Sequence, residues 1–596
     1  VNSVYVNEIY ALVLQRNKEL DPRQFDDDEK RKFHAADVKE WTAWIRSGSV
    51  RVATPEEERN ATRDKIISAP MRHVRTNQDK TAESLEAKSR MIIRGDLDPQ
   101  LGSFRTDSPT VSWMAVVLVV IIGLSKDMEC EIFDVAAAFL SGVALDREIF
   151  CRAPADGLPA AGGWPKIDPY RLLRILKGAF GLTEAPRLWY LRARELLKQC
   201  GFTELRCVRA VFTLRHGGKL IALLALHVDD GMLWGIRGNP KFKQARAKIC
   251  ELFNIKKWVQ MLNGKDCDYL GVQWRKSGSK VRVHMDTYID KLERVEVEGK
   301  AEQLVNTKQI AVARRLLAQL RWPISHVILE LAYEISKMAQ TSYEKWTVAD
   351  LRSLNNMVGR VTDAKKMGRA CFVLSKHDCE KLTVVTSFDA NFARQIGMRS
   401  QLGLLSFISD DAIEKEECVC SQVEFGSSVI HRVVRSTLAA EAAALSTALD
   451  RQLYLRLVLE SILHGEPQCG PDWRHKLKIP GILITDARSL YDHLNKTGSV
   501  PKEKQTLIDL LVARDLMEEE AVKLRWVPTD HMLADILTKD MKLTAVIAKF
   551  LAEQLYCIAR SMEEREKDAY RLTLRQGQRQ RRKERSAEEK ISGRKR

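Results

Sequence analysis

The apolar positions of this chain fall into short runs that end on acidic residues. Leu220–Leu226 is a continuous apolar run, followed by His227-Val228-Asp229-Asp230-Gly231 and then Met232-Leu233-Trp234. The pattern predicts a β-hairpin with an acidic tip and Gly231 in its turn. Successive strand side chains point to opposite faces, so two adjacent aspartates suit a turn that presents both to a ligand better than a core. Taken alone, Asp-Asp-Gly is an ordinary solvated turn. Upstream, Glu131-Ile132-Phe133-Asp134 predicts a β-segment closing on Asp134. Trp113–Leu124 is the strongest apolar stretch but is too short to cross a bilayer, and predicts a buried helix.

The C-terminal half repeats the theme. Leu382–Asp389 predicts a strand closing on an aspartate, with further strands at Gly403–Ile408 and Ser428–Ile430. Ser436–Glu441 opens an Ala- and Leu-rich helix running to about Leu463. Glu441 lies in its first turn or two, where a carboxylate also favours the helix dipole without any catalytic role. Ile482–Asp486 is another strand ending on an aspartate, and Leu524–Val527 a short strand before His531–Lys539, a helical segment carrying Asp535. Between the halves, Ala311–Leu320 and Ile328–Met338 read as helices interrupted by Trp322-Pro323, and a helix is predicted around Ala35–Ile45.

Two strands ending in Asp134 and in Asp229/Asp230 can converge carboxylates on hard, oxygen-seeking cations, in the manner of two-metal phosphoryl transfer. Asp134–Leu140 (Asp-Val-Ala-Ala-Ala-Phe-Leu), then Gly181-Leu182 through Ala185-Pro186 to Trp189-Tyr190, then Val228-Asp229-Asp230 follow one another along the chain. This series resembles the reverse transcriptase of copia-type long-terminal-repeat retrotransposons. Weaker matches lie at Lys88–Gly95, Thr106–Pro109, Phe253–Lys257 and Tyr269–Val272. The family usually has Tyr where this chain has His227, a shorter side chain that can carry charge.

In the second half, the order strand-Asp389, helix-Glu441, strand-Asp486 and helix-Asp535 resembles the ribonuclease H fold. Val527-Pro528-Thr529 and Leu533-Ala534-Asp535-Ile536-Leu537-Thr538-Lys539 are close to that family's final motif. Where the family commonly has His before Val-Pro-Thr, this chain has Trp526; His531 is either a substitute or a surface histidine.

The resemblance implies an α+β and α/β multidomain chain, a right-hand polymerase with fingers, palm and thumb followed by a ribonuclease H-like domain. It divides the chain into an N-terminal extension (1–60), fingers and palm (61–285), a thumb- or connection-like helical region (286–378), a ribonuclease H-like domain (379–545) and a helix with a basic disordered tail (546–596). Asp134, Asp229 and Asp230 would hold Mg2+ or Mn2+ in the first site, and Asp389, Glu441, Asp486 and Asp535 in the second. Lys88, Arg90, Arg94, Phe139 and Gly181 would meet the nucleotide, Phe139 as a gate against the ribose 2′-hydroxyl and Gly181 by letting backbone approach the nascent pair. Implied partners are an RNA template, a DNA primer, an RNA-DNA hybrid and dNTPs. The alternative is a decayed or co-opted copy that binds nucleic acid without catalysis.

Composition agrees and adds little. At 596 residues, 45% hydrophobic and 29% charged, the chain is an ordinary globular composition. A formal charge of +17 favours a polyanionic partner. Arg571–Arg596 carries 11 Lys and Arg against 3 Glu, a nucleic-acid arm, a nuclear-localisation patch or a solvated end. The 12 cysteines lack zinc-site spacing, and no membrane span, signal peptide or disulfide is expected. An intracellular location follows, in a cytoplasmic particle or the nucleus. The start at Val1 and the lack of protease or integrase motifs read as a fragment or processed product.

Overall fold

The computed structural model describes residues 20–67, 72–77, 87–395, 397–467, 473–495, 501 and 503–558; the basic stretch 571–596 lies outside them. The first helix, α1 (Asp27–Arg46), is longer than the expected Ala35–Ile45. The acidic run at its start is a capping device: the Asp26 side chain accepts from the Asp28 and Glu29 amides, and Glu29 reaches back to the Asp26 amide. Phe33, Trp41 and Trp44 are buried, and the helix packs on β2 (Ala87–Ile92), antiparallel partner of β1 (Arg72–Asn77).

The palm is one antiparallel sheet backed by α2 (Trp113–Ser125) and α3 (Ala185–Gln199). Its strands are β3 (Glu129–Val135), β4 (Thr203–Glu204), β5 (Val211–His216), β6 (Lys219–His227), β7 (Asp230–Gly235) and β8 (Ile255–Gln260), in spatial order β8-β3-β7-β6-β5-β4. A second sheet joins β9 (Asp266–Tyr269), β10 (Val272–Ser277), β11 (Lys280–His284) and β12 (Cys371–Ser375).

After a single helical turn at Asp286–Ile289, three longer helices stand between the strands of that sheet in sequence: α4 (Thr307–Val327), α5 (Ala332–Met338) and α6 (Val348–Lys366). The expected interruption at Trp322-Pro323 does not occur, and α4 runs through Pro323. Proline removes the amide that would donate to the Gln319 carbonyl, but the Tyr288 hydroxyl donates to that oxygen instead, at 3.0 Å.

The C-terminal sheet contains β13 (Leu382–Asn391), β14 (Gln401–Asp410), β15 (Ser421–Val429), β16 (Gly481–Thr485) and β17 (Val522–Trp526), in order β15-β14-β13-β16-β17. The first three strands are antiparallel and the last two run parallel to β13, with α7 (Thr437–His464) and α8 (Lys504–Glu519) alongside. A polymerase-like palm followed by a ribonuclease H-like fold is therefore the observed architecture. Among the described residues no helix is long and apolar enough to cross a membrane.

Eleven of the thirteen residues of α2 are buried, so the helix has no polar face. One side rests on β3, β6 and β7, and the other meets β12, β15 and α7, joining the palm to the C-terminal fold through a common core. Close approach to the palm is set at Gly123, where a Cβ would stand 2.3 Å from the buried Trp234 ring. Gly123→Ala gains about 1 kcal/mol of helix propensity but overpacks the core at a cost of about 1–3 kcal/mol or more. Chemical denaturation is expected to find the variant less stable, with part of the loss recovered when Trp234→Leu is added; a variant as stable as the parent would contradict this packing.

Candidate active sites

The palm acids are brought together by register. Asp230, the first residue of β7, pairs with His227 on β6 and directly with Asp134 on β3. The turn is made by Val228 and Asp229, not by Gly231, which lies within β7. Val228 has φ +53°, a conformation that costs a β-branched residue roughly 1–3 kcal/mol. Two bonds hold it: the Trp189 indole donates to the Val228 carbonyl at 2.6 Å, and the Val135 amide donates to the Asp229 carbonyl at 2.9 Å. Gly231 serves another purpose, since a Cβ there would lie 2.2 Å from the Phe133 ring.

Burial, then Asp229 and Asp134, push the Asp230 carboxyl up to about 7. The Asp229 side chain is open to solvent, yet the protein around the cleft, and then Asp134, push its carboxyl up too. Lys256 Nζ lies 3.7 Å from Asp134 Oδ2 and offsets part of this charge. His227 is held toward its neutral form, because burial lowers its pKa, so the departure from Tyr adds no charge near neutrality.

The nucleotide candidates divide. On β2, Arg90 stacks over the Phe180 ring at 4.3 Å, and Phe180 meets Phe139 edge-on at 5.7 Å. Lys88 is half-buried, and that burial, then Arg90 and Lys256, lowers its pKa while Asp134 acts in the opposite sense. Arg94 turns away into an ion pair with Asp96 at 2.7 Å. The close approach at Gly181 (φ +91°) is to the fingers backbone, where a Cβ would meet the Ile93 carbonyl at 2.0 Å. Glu40 of α1, which accepts from the Met91 amide at 3.3 Å, braces the same strand.

In the C-terminal half, Asp389 sits near the end of β13, Glu441 in the second turn of α7, Asp486 just past β16 and Asp535 in a short 3-10 turn (Leu533–Leu537), not an α-helix. Among the described residues, Asp389, Asp486 and Asp535 are the group whose ligand oxygens all lie within 4.8 Å of one another. Glu441 stands beside them but outside that group, and the palm trio does not close to the same degree. The 3-10 turn reaches the sheet because Gly403, opposite Asp389, has no side chain: a Cβ would come within 2.7 Å of Thr538 and 2.9 Å of the Ala534 carbonyl.

Burial raises the pKa of Asp389, pushes Glu441 well above the usual carboxylate range, and takes Asp535 up to about 7, each aided by neighbouring carboxyls. Glu441 Oε2 is buried without a hydrogen-bond partner. Among the described residues one close ammonium stands against these acids, Lys539, 3.0 Å from Asp535 and 3.9 Å from Asp389. An all-oxygen, desolvated, over-negative cluster with an unpartnered oxygen fits a hard divalent cation.

Sequence reasoning assigned no role to several residues that build this site. The Thr538 hydroxyl donates to Asp389, the Thr529 hydroxyl donates to Asp486 Oδ2 at 2.8 Å, and the Trp526 indole donates to the Asp486 carbonyl at 2.9 Å. Trp526, where the family has His, is thus a brace for the Asp486 backbone. His531 turns to Asp530, 3.2 Å away, and does not join the carboxylate group. Lys539 was visible only as the residue four after Asp535, and Lys256 as one of two lysines after the palm hairpin.

Residues 60–308 match the family described as "Reverse transcriptase (RNA-dependent DNA polymerase)". The Pol polyprotein of transposon RE2 from Arabidopsis thaliana is 29% identical over 170 residues, 28% of this chain and 11% of that protein. That of transposon TNT 1-94 from Nicotiana tabacum is 21% identical over 497 residues, 78% of this chain and 34% of its own. The chain thus spans about a tenth to a third of the curated relatives it matches. A foamy viral protease-reverse transcriptase solved with an RNA/DNA hybrid is 10% identical, with TM-score 0.42 over 84% of this chain and 54% of that one. By motif order and by kinship, residues 60–308 match the reverse transcriptase family, and the chain is similar to the retrovirus-related Pol polyproteins of plant transposons.

Proposed function

We propose that the chain is an RNA-directed DNA polymerase that extends a DNA primer on an RNA template with dNTPs, and a ribonuclease H that degrades the RNA strand of the resulting hybrid. The observation that carries the reading is the cross-strand pairing of Asp134 with Asp230 in a sheet whose tip is bent at Val228. Asp134, Asp229 and Asp230 would hold a divalent cation of the Mg2+ or Mn2+ class in the palm, and Asp389, Glu441, Asp486 and Asp535 another in the C-terminal fold. Such a cation, when bound, lowers the barrier to attack on a phosphodiester or triphosphate by neutralising developing oxyanion charge.

The chain's own groups do the rest. The Trp189 and Val135 bonds hold the strained tip so that Asp229 and Asp230 keep their aim. Lys88 and Arg90 present cations to phosphate oxygens from the fingers strand. Phe139, fixed against Phe180, crowds the place of a ribose 2′-hydroxyl. In the second site, Thr538, Thr529 and Trp526 fix Asp389 and Asp486.

Primer extension on an RNA template is expected to fall by about 100-fold or more in Asp229→Asn, and RNA loss from a labelled hybrid by a similar factor in Asp389→Asn, each leaving the other activity in place. Binding of a hybrid without either activity in the wild type would favour the binding-only alternative. Phe139→Ala should admit ribonucleotides in the same extension assay; unchanged discrimination would remove Phe139 from the role.

A third expectation concerns pH. Carboxyls raised on folding bind protons more tightly folded than unfolded, so they support the fold at low pH and oppose it as pH rises from about 4 to about 7. Mg2+ or Mn2+ should therefore raise Tm more at about pH 8 than at about pH 5.5; at a hundredfold excess over Kd the ion stabilises the fold by about 2.7 kcal/mol. Equal shifts at both pH values would show that these acids do not bind the ion.

A further inference from the structure

The palm grips the C-terminal end of α7, far along the chain from β5. The last turn of a helix leaves its carbonyls without amide partners and carries partial negative charge. In α7, Arg215 of β5 supplies the missing donors: its guanidinium donates to the carbonyls of Ser461 (3.2 Å), Ile462 (2.5 Å) and Leu463 (3.1 Å). The arginine is half-buried and also donates to the Gly218 carbonyl at 3.3 Å; it forms no salt bridge with a carboxylate among the described residues, so carbonyls, three of them from α7, are its counter-charge. A bulge between Leu214 and Arg215 in the β5–β6 pairing re-aims the side chain at this point. Past the helix, Glu466 accepts from Arg206 Nε at 2.5 Å and from the Cys207 amide at 3.3 Å, and the Tyr454 hydroxyl donates to the Cys207 carbonyl at 3.2 Å.

We infer that Arg215 is a positioning residue that latches the ribonuclease H-like fold to the palm, and that the latch sets where the RNA strand is cut relative to the primer end. The inference rests on the two-activity reading above. α7 carries Glu441 at its other end, so fixing the helix C-terminus to the palm sheet fixes the direction from one acidic cluster to the other. A hybrid held by the palm then meets the second cluster at one distance. No group of the latch lies in either acidic cluster.

The test uses the full chain with a hybrid labelled at the RNA 5′ end and a primer end placed at a known position. Arg215→Ala should leave primer extension intact while the narrow set of cuts broadens or shifts, and Arg215→Lys should fall between. Amide hydrogen exchange in residues 457–464 should quicken by about tenfold or more in Arg215→Ala. Glu466→Gln, at the rim of the contact, should broaden the cuts more mildly and serves if Arg215→Ala fails to fold. Unchanged cut positions in the folded variants overturn the inference, as does unchanged exchange. If the wild type neither extends nor cuts, the two-activity reading fails and with it the cut-site role, while exchange alone decides whether Arg215 holds α7.

Discussion

A helix with no polar side can exist in water only if something covers it all round, and α2 imposes that constraint on the whole molecule. Its buried residues include Val116 to Ile122 without a break. A fully buried aliphatic side chain of this kind stabilises the fold by about 1.5–3 kcal/mol, so leaving one side of α2 bare would forfeit a large share of any domain's net stability. The palm sheet covers one side, and β12, β15 and α7 cover the other. Two folds that could have been beads on a string are thereby joined through one core, and the distance between their acidic clusters becomes a property of the packing.

That packing works against a second constraint, the gathering of like charges away from water. In each half, carboxyls gather at strand ends and on the turns beside them, and burial together with neighbouring carboxyls raises the pKa values of Asp230, Asp389, Glu441 and Asp535. The cation nearest each cluster is a lysine, Lys256 beside Asp134 and Lys539 between Asp389 and Asp535. The fold therefore carries acids that it does not fully neutralise by itself, the electrostatic pattern that functional sites share.

Much of the element order was legible. Strand-then-acid patterns located β3, the β6–β7 hairpin, β13 and β16, and the helix from Ser436 was placed within a residue or so of its end at His464. The misses have local causes. Glycine is the usual turn residue and points to Gly231, whereas the chain bends at Val228 and keeps Gly231 for the Phe133 ring. Proline ordinarily breaks a helix, and at Pro323 a tyrosine hydroxyl distant in the chain makes it tolerable.

The sequence by itself determined which segments are strands and helices and which acids end them, because alternation, apolar runs and capping act between near neighbours in the chain. Tertiary structure alone decided which acids meet, that Arg94 faces Asp96, that Trp526 and Thr538 brace the second cluster, and that Arg215 closes the end of α7. Those pairings depend on distances across the fold, and no spacing along a chain encodes a distance between residues hundreds of positions apart until the core has packed.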